Sequence, residues 1–211
     1  MIKTDVAVIG AGAAGTAAAF HLACAGHSVT VLEAESRGQI KPCGGGMASS
    51  VQNWFPFDLG PAVDDVIRRV DFSWCLEDPV VADLPGEAPF WIVRREHLDR
   101  LLLDQAVSAG ATLLRPFRVT SLERNDAGWS LRGEQGDPLQ ARAVVIADGS
   151  GSPWPEQVGI GPRSLHMAST LSVRLDGLGT LAPGTARFEF GLVHHGFAWA
   201  FPLADGINVG V

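Results

Sequence analysis

The hydrophobic pattern at the start of the chain predicts a strand, a helix and a second strand in close succession. Residues 5–9, which are apolar after Asp5, are typical of a short buried strand, and an Ala-rich stretch ending near Gly26 indicates a helix. A second apolar run over 28–32 indicates another buried strand, which leads directly into Glu33. This order predicts a βαβ unit at the N-terminus.

Later segments alternate between helical and strand patterns. Apolar residues recur at helical spacing over 98–106 before Gly110, and residues 112–147 indicate a β-meander that returns through a buried strand at 143–147. Residues 50–90 and 164–211 carry alternating strand patterns, and Asp205-Gly206 is a hairpin turn signal. We therefore predict an α/β fold in which a Rossmann-like domain is interleaved with an antiparallel β domain.

Composition narrows the class of protein. The 211 residues include 16 basic and 23 acidic side chains, and 46% are hydrophobic while 18% are charged. These proportions are typical of a globular protein, and the net charge of −7 opposes binding to nucleic acid or an anionic membrane through bulk charge. Cys24, Cys43 and Cys75 are too widely spaced for a Cys-x-x-Cys pair, so we expect no disulfide framework or zinc site and a reducing cytoplasmic location.

The apolar stretch over 6–25 is long enough to imitate a membrane span, because Thr16 and His21 are its only polar residues. Twelve of its twenty residues are Gly or Ala, which contribute little free energy of transfer into lipid. We therefore expect no transmembrane segment. Any contact with lipid would be apolar and peripheral.

Glycines in this stretch follow the order G-x-G-x-x-G at Gly10, Gly12 and Gly15. Gly10 would permit a tight turn, Gly12 would let backbone N–H groups approach a pyrophosphate, and Gly15 would let the helix pack on the strand. Glu33 would accept hydrogen bonds from a ribose diol and would repel a 2′-phosphate. The pattern therefore predicts a site for FAD or NAD and does not separate the two.

Five further motifs accompany this fingerprint, and together they resemble the geranylgeranyl reductase family of FAD-dependent flavoproteins with a hydroxylase-like fold. They are Lys-Pro-Cys-Gly-Gly-Gly at 41–46, the helix start at 93–99, Ala-Asp-Gly at 147–149, Phe-Ala-Trp-Ala-Phe-Pro at 197–202 and Asn-Val-Gly at 208–210. The resemblance implies an FAD-binding domain over 1–50 and 91–163 and a substrate domain over 51–90 and 164–211. Because the chain ends within an apolar strand pattern, we expect it to be an N-terminal portion of a longer flavoprotein.

The resemblance also implies which residues bind the cofactor. They are Gly10, Gly12, Ala13, Ala14, Gly15, Glu33, Lys41, Cys43, Gly44, Gly45, Arg95, Val119, Asp148 and Gly149. Since parallel strands deliver their carboxyl ends to one sheet edge, we expect the Asp148-Gly149 turn to lie beside the glycine loop. The glycines of 44–46 would let the backbone lie against the flat flavin ring. For Arg95, a salt bridge with Asp99 is the structural alternative.

The reaction implied by the resemblance is reduction of isolated C=C bonds in a prenyl chain or prenyl lipid, with FAD reduced by NAD(P)H. Cys43 and Trp199 are the expected catalytic residues, the thiol as a proton relay or gate and the indole face as a stabiliser of positive charge. Phe197, Trp199 and Phe201 would line the substrate chain, because alternate strand residues share one face. The alternatives are that Cys43 simply packs against the ring and that the three aromatics form an ordinary core face.

Two positions depart from the family pattern: His194 stands where the family has Pro, and Phe197 where it has Tyr. The chain contains no tyrosine to replace that hydroxyl. The pair His194 and His195 could replace it as a proton donor or bind a metal ion. Because adjacent residues of a strand point to opposite faces, we expect surface histidines and no metal site. An oxygen-using monooxygenase or halogenase of the same fold and an inactive fragment are the competing hypotheses.

Overall fold

The computed structural model describes residues 1–36, 41–134, 136–161, 166–177, 179 and 181–211, and the chain divides into two compact units. Unit 1 comprises Met1–Gln39 and Asp99–His166, and unit 2 comprises Ile40–Leu98 and Met167–Val211. The sequence predicts domain boundaries after residues 50, 90 and 163. In the structure, residues 41–50 and 91–98 group with unit 2 instead. The role of each unit stays a prediction.

The elements follow the predicted order. The strands are β1 Ile2–Ile9, β2 Val29–Leu32, β3 Gly46–Ala48, β4 Val63–Ile67, β5 Arg69–Trp74, β6 Glu77–Asp83, β7 Phe90–Val93, β8 Thr112–Leu114, β9 Val119–Asn125, β10 Gly128–Gly133, β11 Leu139–Ile146, β12 Ser172–Asp176, β13 Thr185–Phe190, β14 Phe197–Leu203 and β15 Gly206–Gly210. The α-helices are α1 Ala13–Cys24, α2 Arg95–Ser108 and α3 Trp154–Gln157, and short 3-10 segments span Ser49–Trp54 and Gly60–Ala62.

Unit 1 is built on a six-stranded sheet in the order β8-β2-β1-β11-β10-β9. The first four strands are parallel, and β9 and β10 continue the sheet as an antiparallel meander. The end of β1 and all of β2 are continuously buried, as expected for parallel strands covered on both faces. The core contains Ala7, Ile9, Leu32, Phe117, Leu131, Leu139, Ala141 and Trp154.

The apolar stretch over 6–25 forms the end of β1, the glycine turn and α1, in agreement with the βαβ prediction. Within the described residues, no helix combines the length and the apolar composition that a membrane crossing requires. The predicted helix before Gly110 is α2, with Leu98, Leu102 and Ala106 buried. Gly110 follows it with φ of +106°, a conformation that favours glycine after a helix end.

Unit 2 contains a six-stranded sheet in the order β12-β15-β14-β13-β5-β6 and a three-stranded sheet in the order β3-β7-β4. Every neighbouring pair is antiparallel except β13 and β5, which run parallel. The antiparallel prediction therefore holds with one exception. Because more than 100 residues separate β5 from β13 in the chain, no hairpin forces these two strands to run in opposite directions. The core of unit 2 contains Ile67, Val70, Ile92, Ala186, Phe201 and Leu203.

Candidate functional site

The carboxyl ends of three parallel strands meet at one edge of the unit 1 sheet. Ile9 at the end of β1 pairs with Leu32 of β2 and Ile146 of β11. The backbone N–H of Gly10 donates to the Leu32 carbonyl at 2.8 Å, and the N–H of Ala147 donates to the Ile9 carbonyl at 2.8 Å. The glycine loop and the Asp148-Gly149 turn therefore leave the sheet side by side, as the strand argument predicted.

Two of the three fingerprint glycines are required by close backbone contacts. Gly10 has φ of +100°, and a Cβ there would lie 2.5 Å from the Ala147 carbonyl oxygen. A Cβ on Gly15 would lie 1.9 Å from the Gly10 carbonyl oxygen, so α1 can approach β1 this closely only with glycine at that position. Both observations agree with the turn and packing roles inferred from the motif.

Gly12 has a different role, because its backbone is extended with φ of −75° and needs no glycine. Gly12 is the N-cap of α1, and within the described residues no side chain caps this helix. Ala13 and Ala14 begin the helix, so its first N–H groups are bordered only by glycine and alanine. Such a helix start has the charge and the space to receive a phosphate group.

The Glu33 carboxylate lies next to this loop. Its Oε2 accepts a hydrogen bond from the Ala11 N–H at 2.8 Å, and its Oε1 accepts one from the Glu35 N–H at 2.9 Å. A carboxylate oxygen can accept a further bond, so Glu33 keeps acceptor capacity for ribose hydroxyls. In the turn after β11, Gly149 has φ of +102° and open space where a Cβ would stand. These residues fit a dinucleotide.

The remaining predicted cofactor residues belong to other elements of the fold. Val119 begins β9 and packs against the unit 1 core. Lys41, Cys43, Gly44, Gly45 and Arg95 belong to unit 2, where Arg95 is the first residue of α2 and is half-buried.

The glycines of the 43–46 loop pack against the chain's own residues. A Cβ on Gly44 would lie 2.6 Å from a ring carbon of Phe201 and 2.8 Å from Trp199 Nε1. Gly45 has φ of +83°, and a Cβ there would lie 2.0 Å from the Val93 carbonyl oxygen. The absence of side chains at Gly44 and Gly45 therefore lets the loop press against aromatic rings and a backbone carbonyl within unit 2.

Cys43 is held at two of its atoms. Its Sγ accepts a hydrogen bond from the Gly45 N–H at 3.3 Å, and its carbonyl oxygen accepts one from Asn208 Nδ2 at 3.1 Å. Asn208 Oδ1 in turn accepts the indole N–H of Trp199 at 3.0 Å. The two residues predicted to be catalytic are thus connected through one buried amide.

The Asn-Val-Gly motif at 208–210 contains Asn208, but the motif alone predicts no role for its side chain. The residue is 4% exposed in β15, and it is a polar residue in an otherwise apolar strand. A buried amide in a strand signals that specific partners are present, because burying it without hydrogen bonds is unfavourable. The sequence carried this signal but did not identify the partners.

Aromatic side chains line one face of β14. The ring centroids of Phe197 and Trp199 are 6.2 Å apart, as are those of Trp199 and Phe201, so the predicted shared face is present in the structure. Phe188 of β13 extends this row, with centroids 5.1 Å from Phe201 and 5.8 Å from Phe197. Phe72 of β5 stacks on Phe188 at 5.6 Å. The aromatic row thus reaches further across the sheet than the sequence prediction placed it.

His194 and His195 correct one expectation. The argument that they point to opposite faces assumed a strand, but they lie in the turn between β13 and β14, and His195 has φ of +55°. Their rings contact each other with centroids 4.0 Å apart. With Trp74, Phe190 and Phe197 they border a shallow, mostly apolar cleft at this end of the aromatic row. Strand alternation does not apply within a turn.

Two arginines brace unit 2 near the start of α2. Arg94 donates from Nε to Asp64 at 3.1 Å and also pairs with Asp205 in the β14–β15 turn. Burial works to lower the pKa of Arg94, but hydrogen bonds to the two carboxylates hold that pKa above its ordinary value.

Arg174 of β12 donates to both carboxylate oxygens of Glu96, at 2.5 and 2.8 Å. These hydrogen bonds lower the pKa of Glu96 from 4.5 to about 2, although partial burial acts in the opposite direction. The pair joins β12 to the first turn of α2 within unit 2.

Sequence comparison relates the chain to FAD enzymes. Residues 5–54 match the family described as FAD dependent oxidoreductase. The chain is 28% identical over its full length to a digeranylgeranylglycerophospholipid reductase of Methanosphaera stadtmanae, covering 55% of that protein. It is 30% identical to the menaquinone reductase of Mycobacterium tuberculosis, with 99% of the chain and 55% of that protein covered. The chain therefore spans about half the length of the curated relatives it matches.

Structural comparison agrees at the level of the fold. A geranylgeranyl bacteriochlorophyll reductase-like protein from Thermoplasma acidophilum matches with a TM-score of 0.86 and 24% identity, over all of this chain and 56% of that one. The halogenase PltM, solved with phloroglucinol and FAD, matches with a TM-score of 0.74 and 19% identity, over 98% of this chain and 51% of its own. The fold class predicted from the sequence is confirmed.

Proposed function

We propose that this chain, which resembles the geranylgeranyl reductase family of FAD-dependent oxidoreductases along its whole length, contributes to an enzyme that reduces C=C bonds of a prenyl chain with electrons from NAD(P)H. The single observation that carries the proposal is the contact between the Cys43 loop and the aromatic row of β14. This contact places a thiol-bearing loop beside an apolar, electron-rich wall. Such a wall suits a hydrocarbon chain better than a polar substrate.

FAD fits the unit 1 edge, because a phosphate can approach the uncapped start of α1 and ribose hydroxyls can bond to Glu33. When bound, FAD would accept a hydride from NAD(P)H, which becomes NAD(P)+, and would pass that hydride to one alkene carbon. The other alkene carbon must receive a proton before or together with this hydride, since an isolated C=C bond has no electron-withdrawing group to hold negative charge.

Cys43 is the group that we assign to this proton. Its sulfur accepts the Gly45 N–H, which leaves the S–H bond available to donate. The proton lost to the alkene would be replaced from solvent, because the residue is only partly buried. General-acid help of this kind contributes roughly 10²- to 10⁴-fold to a rate.

Trp199 is assigned to charge stabilisation. Protonation of the alkene develops positive charge on carbon, and an indole face stabilises a nearby desolvated cation by about 2 kcal/mol. Phe197 is 41% exposed, flanks Trp199 on the same face and would hold the apolar chain across it. Phe201 is buried in the unit 2 core and would support Trp199 from beneath. Because Phe197 has no hydroxyl, the proton is assigned to Cys43 alone.

Anaerobic turnover tests the proposal. The protein, loaded with FAD, is mixed with NADPH and a geranylgeranyl-bearing substrate without oxygen, and products are read by mass spectrometry. We expect each reduced double bond to add two hydrogens. Cys43→Ser should lower this turnover while flavin content stays at the wild-type value. A product that forms only when oxygen is present would refute the reductase proposal.

An FAD-dependent halogenase or monooxygenase is the second candidate, because halogenases share the fold over nearly the whole chain. This candidate requires oxygen, so the anaerobic experiment separates it from alkene reduction. A third possibility, an inactive fragment, predicts a folded protein that binds no flavin. A flavin absorption spectrum of the purified chain distinguishes this outcome, since a colourless folded protein would contradict the cofactor assignment.

The three free cysteines support a proposal for the cellular compartment of the protein. Cys24, Cys43 and Cys75 are free thiols, and Cys24 and Cys75 are exposed, which supports a reducing compartment such as the cytoplasm. A prenyl lipid as substrate would bring the protein to a membrane surface through apolar contact, because the net charge of −7 opposes attraction to anionic headgroups.

A further inference from the structure

The side chain of Asn208 connects three parts of unit 2: the Cys43 loop, β14 and β15. Its amide N–H donates to the carbonyl of Cys43, 165 residues earlier, and its amide oxygen accepts from Trp199, nine residues earlier. Chemistry determines the orientation of this amide, because an indole N–H can only donate and a backbone carbonyl can only accept. The arrangement therefore cannot be inverted by exchanging the amide N and O.

These bonds are not needed to hold β15 in the sheet. The backbone of β15 pairs with β14 on one side and with β12 on the other, in continuous registers over 206–210. An apolar residue at position 208 would sit opposite Phe201 and would suit the strand better, since asparagine is disfavoured in strands. The amide is therefore best explained by its hydrogen bonds to the Cys43 carbonyl and the Trp199 indole.

The Cys43 loop is the segment that depends on this amide. Residues 41–45 form no regular secondary structure, and the loop is anchored on its far side by the Val93 N–H, which donates to the Gly45 carbonyl at 2.9 Å. The bond from Asn208 holds the other side at Cys43 itself. With both anchors in place, the backbone of the thiol-bearing residue is fixed relative to the indole ring.

We propose that Asn208 is a positioning residue that fixes the Cys43 backbone and the Trp199 ring in one arrangement. Its catalytic consequence rests on the proposed function, in which the thiol supplies a proton to a carbon held against the indole. Asn208 itself need not touch the substrate. Proton transfer is sensitive to the distance between donor and acceptor, so a released loop would slow turnover without preventing flavin binding.

Three substitutions separate the two hydrogen bonds. Asn208→Asp keeps an acceptor for the indole but, when ionised, has no donor for the Cys43 carbonyl. Trp199→Phe has the opposite effect, because it removes the indole donor and leaves the Asn208 bond to Cys43 intact. Asn208→Leu removes both bonds and introduces an apolar side chain of similar size, which suits the strand if the aspartate variant folds poorly.

Alkylation of the thiols tests the positioning without substrate, flavin or turnover. The wild type, Asn208→Leu and Trp199→Phe are treated with iodoacetamide at about pH 8, close to the ordinary pKa of a thiol, and the modification rate of each cysteine is followed by peptide mass spectrometry. Cys24 and Cys75 are exposed and serve as internal references in the same sample. Melting temperatures confirm that the variants remain folded under the assay conditions.

We expect Cys43 to be modified about fivefold faster in Asn208→Leu than in the wild type, the factor expected for loss of one neutral hydrogen bond. Asn208→Asp is kept for the turnover experiment, because a carboxylate beside Cys43 would itself disfavour the reactive thiolate. The reference thiols should keep their rates. Trp199→Phe should raise the Cys43 rate less than Asn208→Leu does, because it removes ring atoms that lie beside Gly44 but keeps the Asn208 bond to Cys43. Equal Cys43 rates in the wild type and Asn208→Leu would overturn the positioning role. So would an equal increase at all three cysteines, because that result indicates general loosening.

Turnover then distinguishes this proposal from the proposed function. If the wild type reduces a prenyl chain, Asn208→Asp should lower kcat by about fivefold or more with flavin content and KM unchanged. If the wild type reduces no alkene while the alkylation rates change as expected, the proposed function is wrong and the positioning of Cys43 stands. If turnover is present and unaffected by Asn208→Asp, the positioning role in catalysis is refuted.

Discussion

Replacing Gly15 by alanine is the sharpest test of the nucleotide site, because the structure gives the size of the perturbation. The added Cβ would lie 1.9 Å from the Gly10 carbonyl oxygen, whereas ordinary contact begins at 3.4 Å. The start of α1 must therefore move away from β1 by about 1.5 Å, the difference between these two distances. The obstacle is a backbone atom, so no side-chain rotation can relieve it.

The energetic consequence can be estimated in two parts. Overpacking costs about 3 kcal/mol at the upper end of the usual range, and alanine regains about 1 kcal/mol over glycine within a helix. The net loss of about 2 kcal/mol should lower Tm by about 4–8 °C for a chain of this size. Phosphate hydrogen bonds at the displaced helix start would also be lost, so FAD affinity should fall about 10- to 100-fold.

Gly26→Ala is the matched control at the opposite end of α1. Gly26 has φ of +87°, and no atom lies within 4 Å of the place that a Cβ would occupy, so alanine there is strained by about 1–2 kcal/mol without a clash. The two variants should therefore lose similar stability in thermal unfolding, while flavin titration shows weaker binding only for Gly15→Ala. If both variants bind FAD with equal affinity, the close approach of α1 to the glycine turn does not matter for the cofactor and the reasoning fails.

Three further predictions concern charged side chains. Glu33→Gln should weaken FAD binding about tenfold in a fluorescence titration, because its NH₂ group replaces an acceptor that now receives a backbone N–H; unchanged affinity would remove Glu33 from the site. Arg94→Leu should lower the free energy of unfolding in urea by about 3 kcal/mol, because the mostly buried Asp64 is left without its cation. Arg142→Leu, which breaks an exposed pair, should lower it by less than about 0.5 kcal/mol, and equal losses would contradict this reasoning. The lowered pKa of Glu96 means that its ion pair stabilises the fold above pH 4.5 and loses that effect as pH falls toward about 2, so the stability gap between wild type and Arg174→Gln should close over this range; a gap that persists at pH 2 would refute it.

Local patterns predicted much of unit 1. The apolar run before Gly10 and the glycine spacing sufficed to predict β1, the turn and α1, because a buried strand and a helix start each impose their own residue pattern. The placement of Asp148 beside the glycine turn also followed, since a parallel sheet aligns the carboxyl ends of its strands. In unit 2, alternation at 197–201 predicted the shared aromatic face.

Other features depended on contacts between distant parts of the chain. Nothing local to β5 or β13 states that these strands run parallel, and the histidine pair was misplaced because a strand was assumed where the chain turns. The glycines of 44–46 predict space for a flat cofactor ring, yet the structure fills the space beside Gly44 with Phe201 and Trp199.

The sequence by itself therefore determined the βαβ unit, its glycine turn and the aromatic alternation, because each is encoded by neighbouring residues with a short period. Only the tertiary structure decided that Asn208 connects Cys43 to Trp199, since that link closes a loop of 165 residues. A hydrogen-bond partner so distant leaves no periodic trace in the sequence. The partners are determined only when the chain folds and brings one donor and one acceptor within hydrogen-bond distance of the buried amide.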